Sequence, residues 1–314
     1  MKAVTQHAFG GPEVLELEEV PRPEPLPSEV LIRVQAAGVN PVEPFIRSGM
    51  FPLLGQPPFI LGWDVSGIVE EVVPGVNRFR VGDEVFGMPM FPRPAGTYAE
   101  YVTAPSLQLA RKPSTINHVH AAAIPMAGLT AWQSLVDVAR VGAGQRVLIH
   151  GAGGGVGHIA LQIAKARGAH VTCTASAAKH DFLRELGADE PIDYRTRDFA
   201  EEVRDVDVVF DVIGGDYGPR SFRTLRPGGL FITAVERTNA RLAADAEAAG
   251  VRFAGITVEP DRVGLEGLAG LIDAGRLRIH VDQTVPLAGA GKAHEILESG
   301  GATGKVVLTV DPAQ

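Results

Sequence analysis

The sequence predicts an α/β protein in which a doubly wound parallel sheet follows a β-rich region. Three observations support this fold class. The chain has 314 residues, which exceeds the roughly 250–300 residues at which single hydrophobic cores tend to split into domains. A glycine-rich segment, Gly151–Gly157, stands between an apolar run and a segment of helical periodicity. Strand-like and helix-like segments alternate from about residue 118 to about residue 280.

The glycine-rich segment predicts a dinucleotide-binding site. It follows the apolar run Arg146–His150 and precedes Ile159–Arg167, whose apolar residues recur at helical spacing. A strand, a glycine turn and a helix in this order let the backbone approach a pyrophosphate, and the helix N-terminus offers free N–H groups. A plain connecting turn is the alternative, but the flanking strand and helix favour a cofactor. The expected contacts are Ala152, Gly154, Gly155, Val156 and Gly157.

The rest of the alternating region predicts a parallel sheet covered by helices on both faces. Near-continuous apolar strands between helices are typical of this arrangement. Right-handed crossovers would bring the carboxyl ends of the strands, and therefore the cofactor, to one edge of the sheet. The predicted strands are Ala169–Thr174, Pro191–Asp193, Asp207–Ile213, Leu230–Val235 and Val251–Val258, and the predicted helices are Lys179–Leu186, Tyr217–Leu225 and Ala240–Ala249.

The first 117 residues predict a compact β barrel or sandwich. They are rich in proline and glycine, and turn signals separate the β-like runs Val30–Gln35, Gly67–Val73 and Tyr98–Thr103. The tail has a predicted helix near Ala293–Ser299 and a predicted strand at Lys305–Val310. We therefore expect a first domain at 1–117, completed by 281–314, and a second domain at 118–280.

Composition argues against several function classes. The net charge is −8 and the pI is about 5.6, with no basic cluster of the kind that binds nucleic acid. No apolar run approaches the roughly 20 residues of a membrane span, and the first residues lack the apolar stretch of a secretory signal. The only cysteine, Cys173, falls in a predicted buried strand. We expect a cytoplasmic protein without disulfides that binds neither nucleic acid nor membranes.

Several further motifs identify a family resemblance. In their order and spacing, they resemble the quinone oxidoreductase branch of the medium-chain dehydrogenase/reductase superfamily over nearly the whole chain. The resemblance implies a GroES-like catalytic domain plus a Rossmann domain, a homodimer, and reduction of quinones or activated alkenes with NADPH. Besides the glycine-rich segment, the motifs are Gly38–Pro41, Ile46–Gly49, Leu61–Gly67, Phe79–Gly87, Gly128–Trp132 and Gly304–Leu308.

The same superfamily contains zinc alcohol dehydrogenases, so the metal ligands need separate attention. The zinc enzymes carry a cysteine near the place of Asn40, a His-Glu pair in place of Trp63-Asp64, and a second cysteine near Met126-Ala127. Zinc prefers thiolate, imidazole and carboxylate ligands, and of the residues present here only Asp64 offers one. We therefore expect no metal. A zinc alcohol dehydrogenase-like enzyme remains the alternative within the enzyme class.

The segment after the second predicted strand favours NADP(H) over NAD(H). An acid about 20 residues past the glycines binds the ribose 2′-hydroxyl in NAD sites, but Thr174–Lys179 contains no acid. Ser176 could donate a hydrogen bond to a 2′-phosphate and Lys179 could supply a charge, although a helix N-cap and a solvated cation are the respective alternatives. Tyr194 resembles a family tyrosine that contacts this phosphate. We also include Ile213, Gly214 and Lys305 in the expected NADP(H) site.

The substrate side rests mainly on the resemblance. It places Asn40 beside the nicotinamide, where its amide could hydrogen-bond a substrate carbonyl, and it places Thr130 next to the ring. Phe45, Phe51 and Trp63 could form a flat apolar pocket, or simply pack in the core. A zinc-independent NADPH-dependent reductase of quinones or α,β-unsaturated carbonyls is the expected function. A non-catalytic NADPH-binding sensor or structural protein is the alternative from a different class.

Overall fold

The computed structural model describes residues 1–310, so the last four residues of the predicted C-terminal segment lie outside the described part of the chain. The strands in chain order are β1 (Lys2–Gln6), β2 (Leu15–Glu19), β3 (Glu29–Val39), β4 (Phe59–Ile60), β5 (Val65–Val72), β6 (Glu84–Gly87), β7 (Tyr101–Pro105), β8 (Leu109–Arg111), β9 (Arg146–Ile149), β10 (His170–Ala175), β11 (Glu190–Asp193), β12 (Val206–Asp211), β13 (Leu225–Thr233), β14 (Arg252–Gly255), β15 (Val281–Pro286) and β16 (Lys305–Thr309).

The helices lie between these strands and at the chain's domain junctions. A π-helical stretch, Gln133–Val138, directly continues the third of them. In chain order the helices are α1 (Val42–Arg47), α2 (His118–Ala122), α3 (Pro125–Trp132), α4 (Gly155–Ala166), α5 (His180–Glu185), α6 (Phe199–Glu202), α7 (Tyr217–Phe222), α8 (Ala240–Ala248), α9 (Arg262–Asp273) and α10 (Ala290–Glu298).

The chain divides into two compact units. The β-rich unit comprises Met1–Leu129, Glu259–Asp273 and the segment from Ile279 onward, and the parallel-sheet unit comprises Thr130–Val258 and Ala274–Arg278. These bounds differ from the sequence-based domains because α2 packs against β3 and β5, and α9 packs against β8. Both helices therefore belong with the strands that precede the predicted boundary at residue 117.

The β-rich unit is organised around the long strand β3. Seven strands form its main sheet in the order β15-β16-β3-β5-β6-β8, with β7 also paired to β3, and a three-stranded sheet has the order β2-β1-β4. β3 is longer than the predicted Val30–Gln35 because its antiparallel pairing with β16 extends to Val39. The side chain of Tyr98, expected at a strand start, is fully buried just before β7. Asn40 directly follows the carboxyl end of β3.

The parallel-sheet unit confirms the predicted doubly wound architecture. Its six strands have the order β11-β10-β9-β12-β13-β14, and every pair is parallel. The strand interiors are apolar on both faces, and Cys173 in β10 is fully buried, as expected for a core residue. Burial raises the pKa of the Cys173 thiol to about 12, so it is kept in the neutral form.

The structure corrects the boundaries around the fifth strand of this sheet. The predicted helix to Leu225 ends at Phe222, and β13 begins at Leu225, before the Pro227-Gly-Gly turn signal. The reason is that Leu225 already pairs with Val206 in β12. At its other end β13 stops at Thr233, two residues before the predicted end, because the Thr233 hydroxyl accepts the backbone N–H groups of Val235 and Glu236 and the chain turns there.

Within residues 1–310, no helix is both long enough and apolar enough to cross a membrane.

Candidate active site

The glycine loop of the parallel-sheet unit ends in an open helix N-terminus. α4 begins at Gly155, and its N-cap residue Gly154 has extended backbone (φ −95°, ψ −175°). Gly154 has no side chain that could cap this helix. Because the first N–H groups of a helix have no acceptor within it, those of the first turn are left for an anion. The loop therefore has the chemistry that the sequence predicted for a pyrophosphate.

Two glycines are required by the geometry of this loop. Gly151 has φ +67°, a left-handed conformation that side-chain-bearing residues rarely adopt. Gly157 lies so close to the loop backbone that a Cβ there would stand 2.3 Å from the Gly151 carbonyl oxygen. Any larger residue at 157 would push α4 away from the turn, so Gly157 keeps helix and strand in close contact.

Side chains predicted for the cofactor site surround the loop. The Lys179 Nζ lies 3.5 Å from the Gly153 carbonyl oxygen, and its methylene chain lies against Gly153. The Ile213 side chain is half exposed and lies against Gly151. Ser176 begins the short helical turn that leads to α5, but its side chain makes no cap hydrogen bond there. Tyr194 follows β11 and is 45% exposed.

Sequence reasoning missed the residue that shapes the loop at the end of β12. Asp211 is fully buried, and its carboxylate accepts the backbone N–H groups of Ile213 (2.9 Å) and Gly214 (3.2 and 3.1 Å). The Thr233 hydroxyl of β13 adds a contact at 3.4 Å. Burial raises the pKa of Asp211, and these hydrogen bonds offset part of the rise. An acid inside an apolar strand is the sequence signal that would have revealed it.

His150, a residue that its place at the end of a predicted strand marks as structural, lies in the turn between β9 and the glycine loop. The Ser221 hydroxyl donates to the Tyr217 carbonyl (2.6 Å), so its oxygen accepts from Nε2–H of His150 (2.9 Å). Nδ1 then accepts from the Thr174 hydroxyl (3.0 Å). Burial lowers the pKa of His150 to about 3, so the imidazole stays neutral. It ties the start of the loop to β10 and α7.

In the β-rich unit, the predicted substrate residue Asn40 lies in a buried polar cluster. Its Nδ2 donates to Asp64 Oδ2 at 3.0 Å, and its Oδ1 accepts from the Lys305 ammonium. Asp64 Oδ1 accepts the backbone N–H of Met126 at 2.7 Å. Burial raises the pKa of Asp64, and the Lys305 charge opposes that rise. Asn40, Asp64 and Lys305 are exposed by 2%, 0% and 3%.

The surroundings of Lys305 differ from those of a cofactor contact. Its Nζ donates to the Val39 carbonyl oxygen at 2.9 Å, contacts Asn40 Oδ1, and lies 3.5 Å from Asp64 Oδ2. An ammonium has three hydrogens, and these three acceptors account for all of them. The geometry therefore favours a role within the Asn40 cluster over the expected role at the cofactor.

The Asn40 cluster continues into a second buried network that the sequence did not reveal. Glu43 Oε2 accepts both the Asn40 backbone N–H (2.7 Å) and the Tyr98 hydroxyl (2.6 Å), while its Oε1 has no partner among the described residues. The Tyr98 oxygen lies 3.2 Å from His294 Nε2. Burial raises the pKa of Glu43 to about 7, and the two hydrogen bonds to Oε2 limit the rise.

The outer end of this network reaches the surface through an arginine. Arg47 Nη1 donates to His294 Nδ1 at 3.1 Å, and Arg47 Nη2 donates to Glu298 Oε1 at 2.9 Å. Because a guanidinium only donates, His294 Nδ1 must accept, which leaves the proton on Nε2 for Tyr98. Burial lowers the pKa of His294 to about 3. The hydrogen bonds therefore run in one direction: Arg47 donates to His294, His294 to Tyr98, and Tyr98 to Glu43.

The structure does not give the three predicted aromatic residues one accessible surface. Phe45 and Phe51 are 51% and 37% exposed, whereas Trp63 has no exposed surface. The Trp63 Nε1 donates to the Arg93 carbonyl at 2.7 Å, and its ring packs edge-on against Phe91. Thr130 lies in α3 with 7% exposure, and its carbonyl accepts the Ser134 hydroxyl. Trp63 is therefore placed as a core residue.

Comparisons with known proteins agree with this geometry. The alcohol dehydrogenase GroES-like domain model matches residues 26–114, and a zinc-binding dehydrogenase model matches residues 186–308. The quinone oxidoreductase of Mus musculus is 34% identical over 329 residues, covering 98% of this chain and 97% of that protein. The chain belongs to the quinone oxidoreductase branch of the medium-chain dehydrogenase/reductase superfamily.

Solved structures of this quinone oxidoreductase branch are similar over the whole chain. The quinone oxidoreductase from Coxiella burnetii has a TM-score of 0.93 and 38% identity, and the match covers 99% of both chains. The Escherichia coli quinone oxidoreductase, solved in complex with NADPH, has a TM-score of 0.87 and 29% identity, covering 98% of this chain and 100% of that one.

Zinc ligands are a point on which members of the superfamily differ. In this quinone oxidoreductase-like chain, residues 1–310 contain no group of three or more His, Cys, Asp or Glu side chains that could hold a metal ion. Of the side chains at the expected ligand positions, Asp64 alone is a good zinc donor, and it faces the ammonium of Lys305. A cation already neutralises the carboxylate there, so the donor set does not fit zinc.

Proposed function

We propose that this protein is a zinc-independent NADPH-dependent reductase that acts on quinones or α,β-unsaturated carbonyls. The observation that carries the proposal is the open, glycine-lined N-terminus of α4 with the Lys179 side chain laid against it. One cation and several backbone N–H groups would then contact an anionic cofactor. The E. coli relative that was solved with NADPH supports the same choice of cofactor.

The parallel-sheet unit contains the residues that would hold NADPH. The Gly154–Gly157 turn would bind the pyrophosphate, and Asp211 keeps the Ile213-Gly214 loop in shape beside it. Ser176 would give a 2′-phosphate a hydrogen-bond donor and Lys179 would give it a charge, and no acid occurs between Thr174 and Lys179 to repel it. Tyr194 is exposed and available to the same phosphate. When bound, the nicotinamide supplies the hydride.

The β-rich unit supplies the contact to the acceptor in this proposal. One Nδ2 hydrogen of Asn40 is donated to Asp64, and the other is not used by any of the described residues. This second N–H would hydrogen-bond the substrate carbonyl oxygen as negative charge develops on it. An amide donor suffices for a quinone or enone, whereas alcohol oxidation requires a Lewis acid or base to form the alkoxide. The proton would come from solvent.

Phe51 favours quinones slightly over enones. Its side chain has no hydroxyl, so it offers no acid for protonating an enolate. Phe51 and Phe45 are partly exposed and offer apolar surface to a flat ring. Trp63, being buried, would support the acceptor site from within the core.

Thr130 would act beside the nicotinamide, and the homodimer implied by the resemblance stays a prediction.

Steady-state turnover tests this proposal. NADPH absorbance is followed with a quinone and with an enone, and a secondary alcohol is offered with NADP⁺ in the reverse direction. We expect quinone reduction that persists with a chelator present. Turnover of the alcohol alone would identify an alcohol dehydrogenase. NADPH binding without turnover of any acceptor would instead identify a non-catalytic NADPH-binding protein.

A further inference from the structure

The contacts of Asn40 fix the orientation of its amide without ambiguity. The Lys305 ammonium is a donor only, so the amide atom that it contacts must be Oδ1. The Asp64 carboxylate opposite accepts from Nδ2 at 3.0 Å. A flipped amide would place Nδ2 against an ammonium and Oδ1 against a carboxylate, two repulsive contacts in a buried cluster. The ion pair therefore holds the amide in one of its two orientations.

The same contacts strengthen the remaining N–H of Asn40. Hydrogen bonds in a chain polarise one another, and the effect is larger where water is excluded. A cation at Oδ1 draws electron density from the amide nitrogen, which makes the N–H a stronger donor. Because Lys305 is only 3% exposed and Asn40 only 2%, little solvent screens this interaction. The Lys305 ammonium therefore polarises the Asn40 amide and makes its second Nδ2 hydrogen a stronger donor.

We propose that Lys305 is a positioning residue for the reaction: its ammonium, balanced by Asp64, orients and polarises the Asn40 amide that contacts the acceptor carbonyl. This inference rests on the proposed function, since it assumes that Asn40 donates to the substrate. It assigns Lys305 to the acceptor side and gives it no contact with the cofactor. In this chain the Lys305 ammonium contacts Asn40 and Asp64, which stand at the expected zinc-ligand positions. A zinc ion would contact the substrate oxygen directly, whereas this ammonium acts on it through the Asn40 amide.

The geometry around Lys305 argues for this role over simple core support. All three ammonium hydrogens face acceptors at the carboxyl end of β3 and at Asp64. The lysine itself begins β16, whose pairing with β3 brings its side chain to the Asn40 turn. A buried charge is costly unless it is paired and hydrogen-bonded, and apolar residues would serve packing alone. The buried Lys305–Asp64 pair is therefore better explained by its effect on Asn40 than by packing.

A double-mutant cycle separates positioning from a merely structural role. Asn40→Ala, Lys305→Met and the double variant are compared with the native protein for kcat/KM with a quinone, for the NADPH dissociation constant, and for thermal unfolding. Lys305→Arg keeps the positive charge and serves as the conservative rescue. Lys292→Met is the matched control, because it removes an exposed lysine whose contact is an i,i+3 pair with Glu295.

We expect Lys305→Met to lower kcat/KM about ten- to a hundredfold, the size of a charge-assisted hydrogen bond. The NADPH dissociation constant should change less than about twofold, and Lys305→Arg should recover part of the rate. In the Asn40→Ala background, Lys305→Met should lower kcat/KM little further. Because Lys305→Met leaves Asp64 without its cation, Lys305→Met/Asp64→Asn is measured as well. If that neutral pair unfolds like the native protein but stays slow, the rate loss is not due to unfolding.

Three results would overturn the inference. Equal and additive losses from Lys305→Met in both backgrounds would show a structural role. Weaker NADPH binding with unchanged acceptor kinetics would return Lys305 to the cofactor site. A native rate in the neutral pair Lys305→Met/Asp64→Asn would show that the charge is not needed. By contrast, an Asn40→Ala variant as fast as the native protein would refute the proposed contact of Asn40 itself, which is a separate failure.

Discussion

The Glu43→Gln substitution tests the buried network around Asn40 through its pH dependence. Glu43 is fully buried, and desolvation raises its pKa from 4.5 to about 7. A glutamine resembles the protonated carboxyl, because it keeps an acceptor oxygen for Tyr98 and the Asn40 N–H but carries no charge. The substitution therefore removes one titration from an otherwise similar structure.

The sign of the effect follows from proton linkage. A group whose pKa is raised by folding binds more protons in the folded state, so its stability contribution is complete below pH 4.5 and is lost as pH rises toward and through pH 7. One pKa unit corresponds to about 1.4 kcal/mol. With the two pKa values of Glu43, the native protein loses roughly 1 kcal/mol by pH 5 and roughly 3 kcal/mol by pH 8.

Denaturant unfolding at pH 5 and pH 8 measures this difference. The free energy of unfolding of Glu43→Gln, relative to the native protein, should rise by roughly 2–3 kcal/mol between the two pH values. Glu71→Gln, at an exposed glutamate in β5, is the control and should leave the pH dependence unchanged. Parallel curves for Glu43→Gln and the native protein would refute the reasoning.

Three further predictions concern the cofactor site and the metal. Lys179→Ala should weaken NADPH binding about ten- to a hundredfold and spare NADH, because a charge-assisted hydrogen bond contributes about 1.5–3 kcal/mol; equal losses for both cofactors in titration calorimetry would contradict this. Asp211→Ala should lower the free energy of unfolding by about 3 kcal/mol, since two loop N–H groups lose a buried acceptor; a loss below about 1 kcal/mol would argue against it. Dialysis against a chelator should leave activity unchanged, and elemental analysis should find no stoichiometric zinc.

The parallel sheet could be predicted from the sequence because its signals are local. Continuous apolar strands such as Asp207–Ile213 and the glycine turn at Gly151–Gly157 report burial and phosphate approach within one short segment. The exact ends of the elements depend on distant partners instead. β13 starts at Leu225 because of Val206, and no property of the Pro227-Gly-Gly turn could reveal that pairing.

The substrate side was less predictable because its chemistry joins residues far apart in the chain. Asn40, Asp64 and Lys305 are separated by up to 265 positions, yet they share one buried cluster. Arg47 lies in the Ile46–Gly49 motif, but no local signal pointed to its partner His294. The contact between Glu43 and Tyr98 had no local signal either. Trp63 illustrates the opposite case, since an aromatic residue suited to a pocket wall is fully buried.

Hydride transfer to a quinone is tested most directly by single-turnover kinetics with NADPH deuterated at the transferred position. The protein, preincubated with a chelator and loaded with the labelled or unlabelled cofactor, is mixed rapidly with the quinone while NADPH absorbance is recorded. Our account predicts oxidation far above the protein-free rate, slower with the deuterated cofactor and unaffected by the chelator. Oxidation no faster than without protein, or oxidation that returns only after zinc is added, would contradict it.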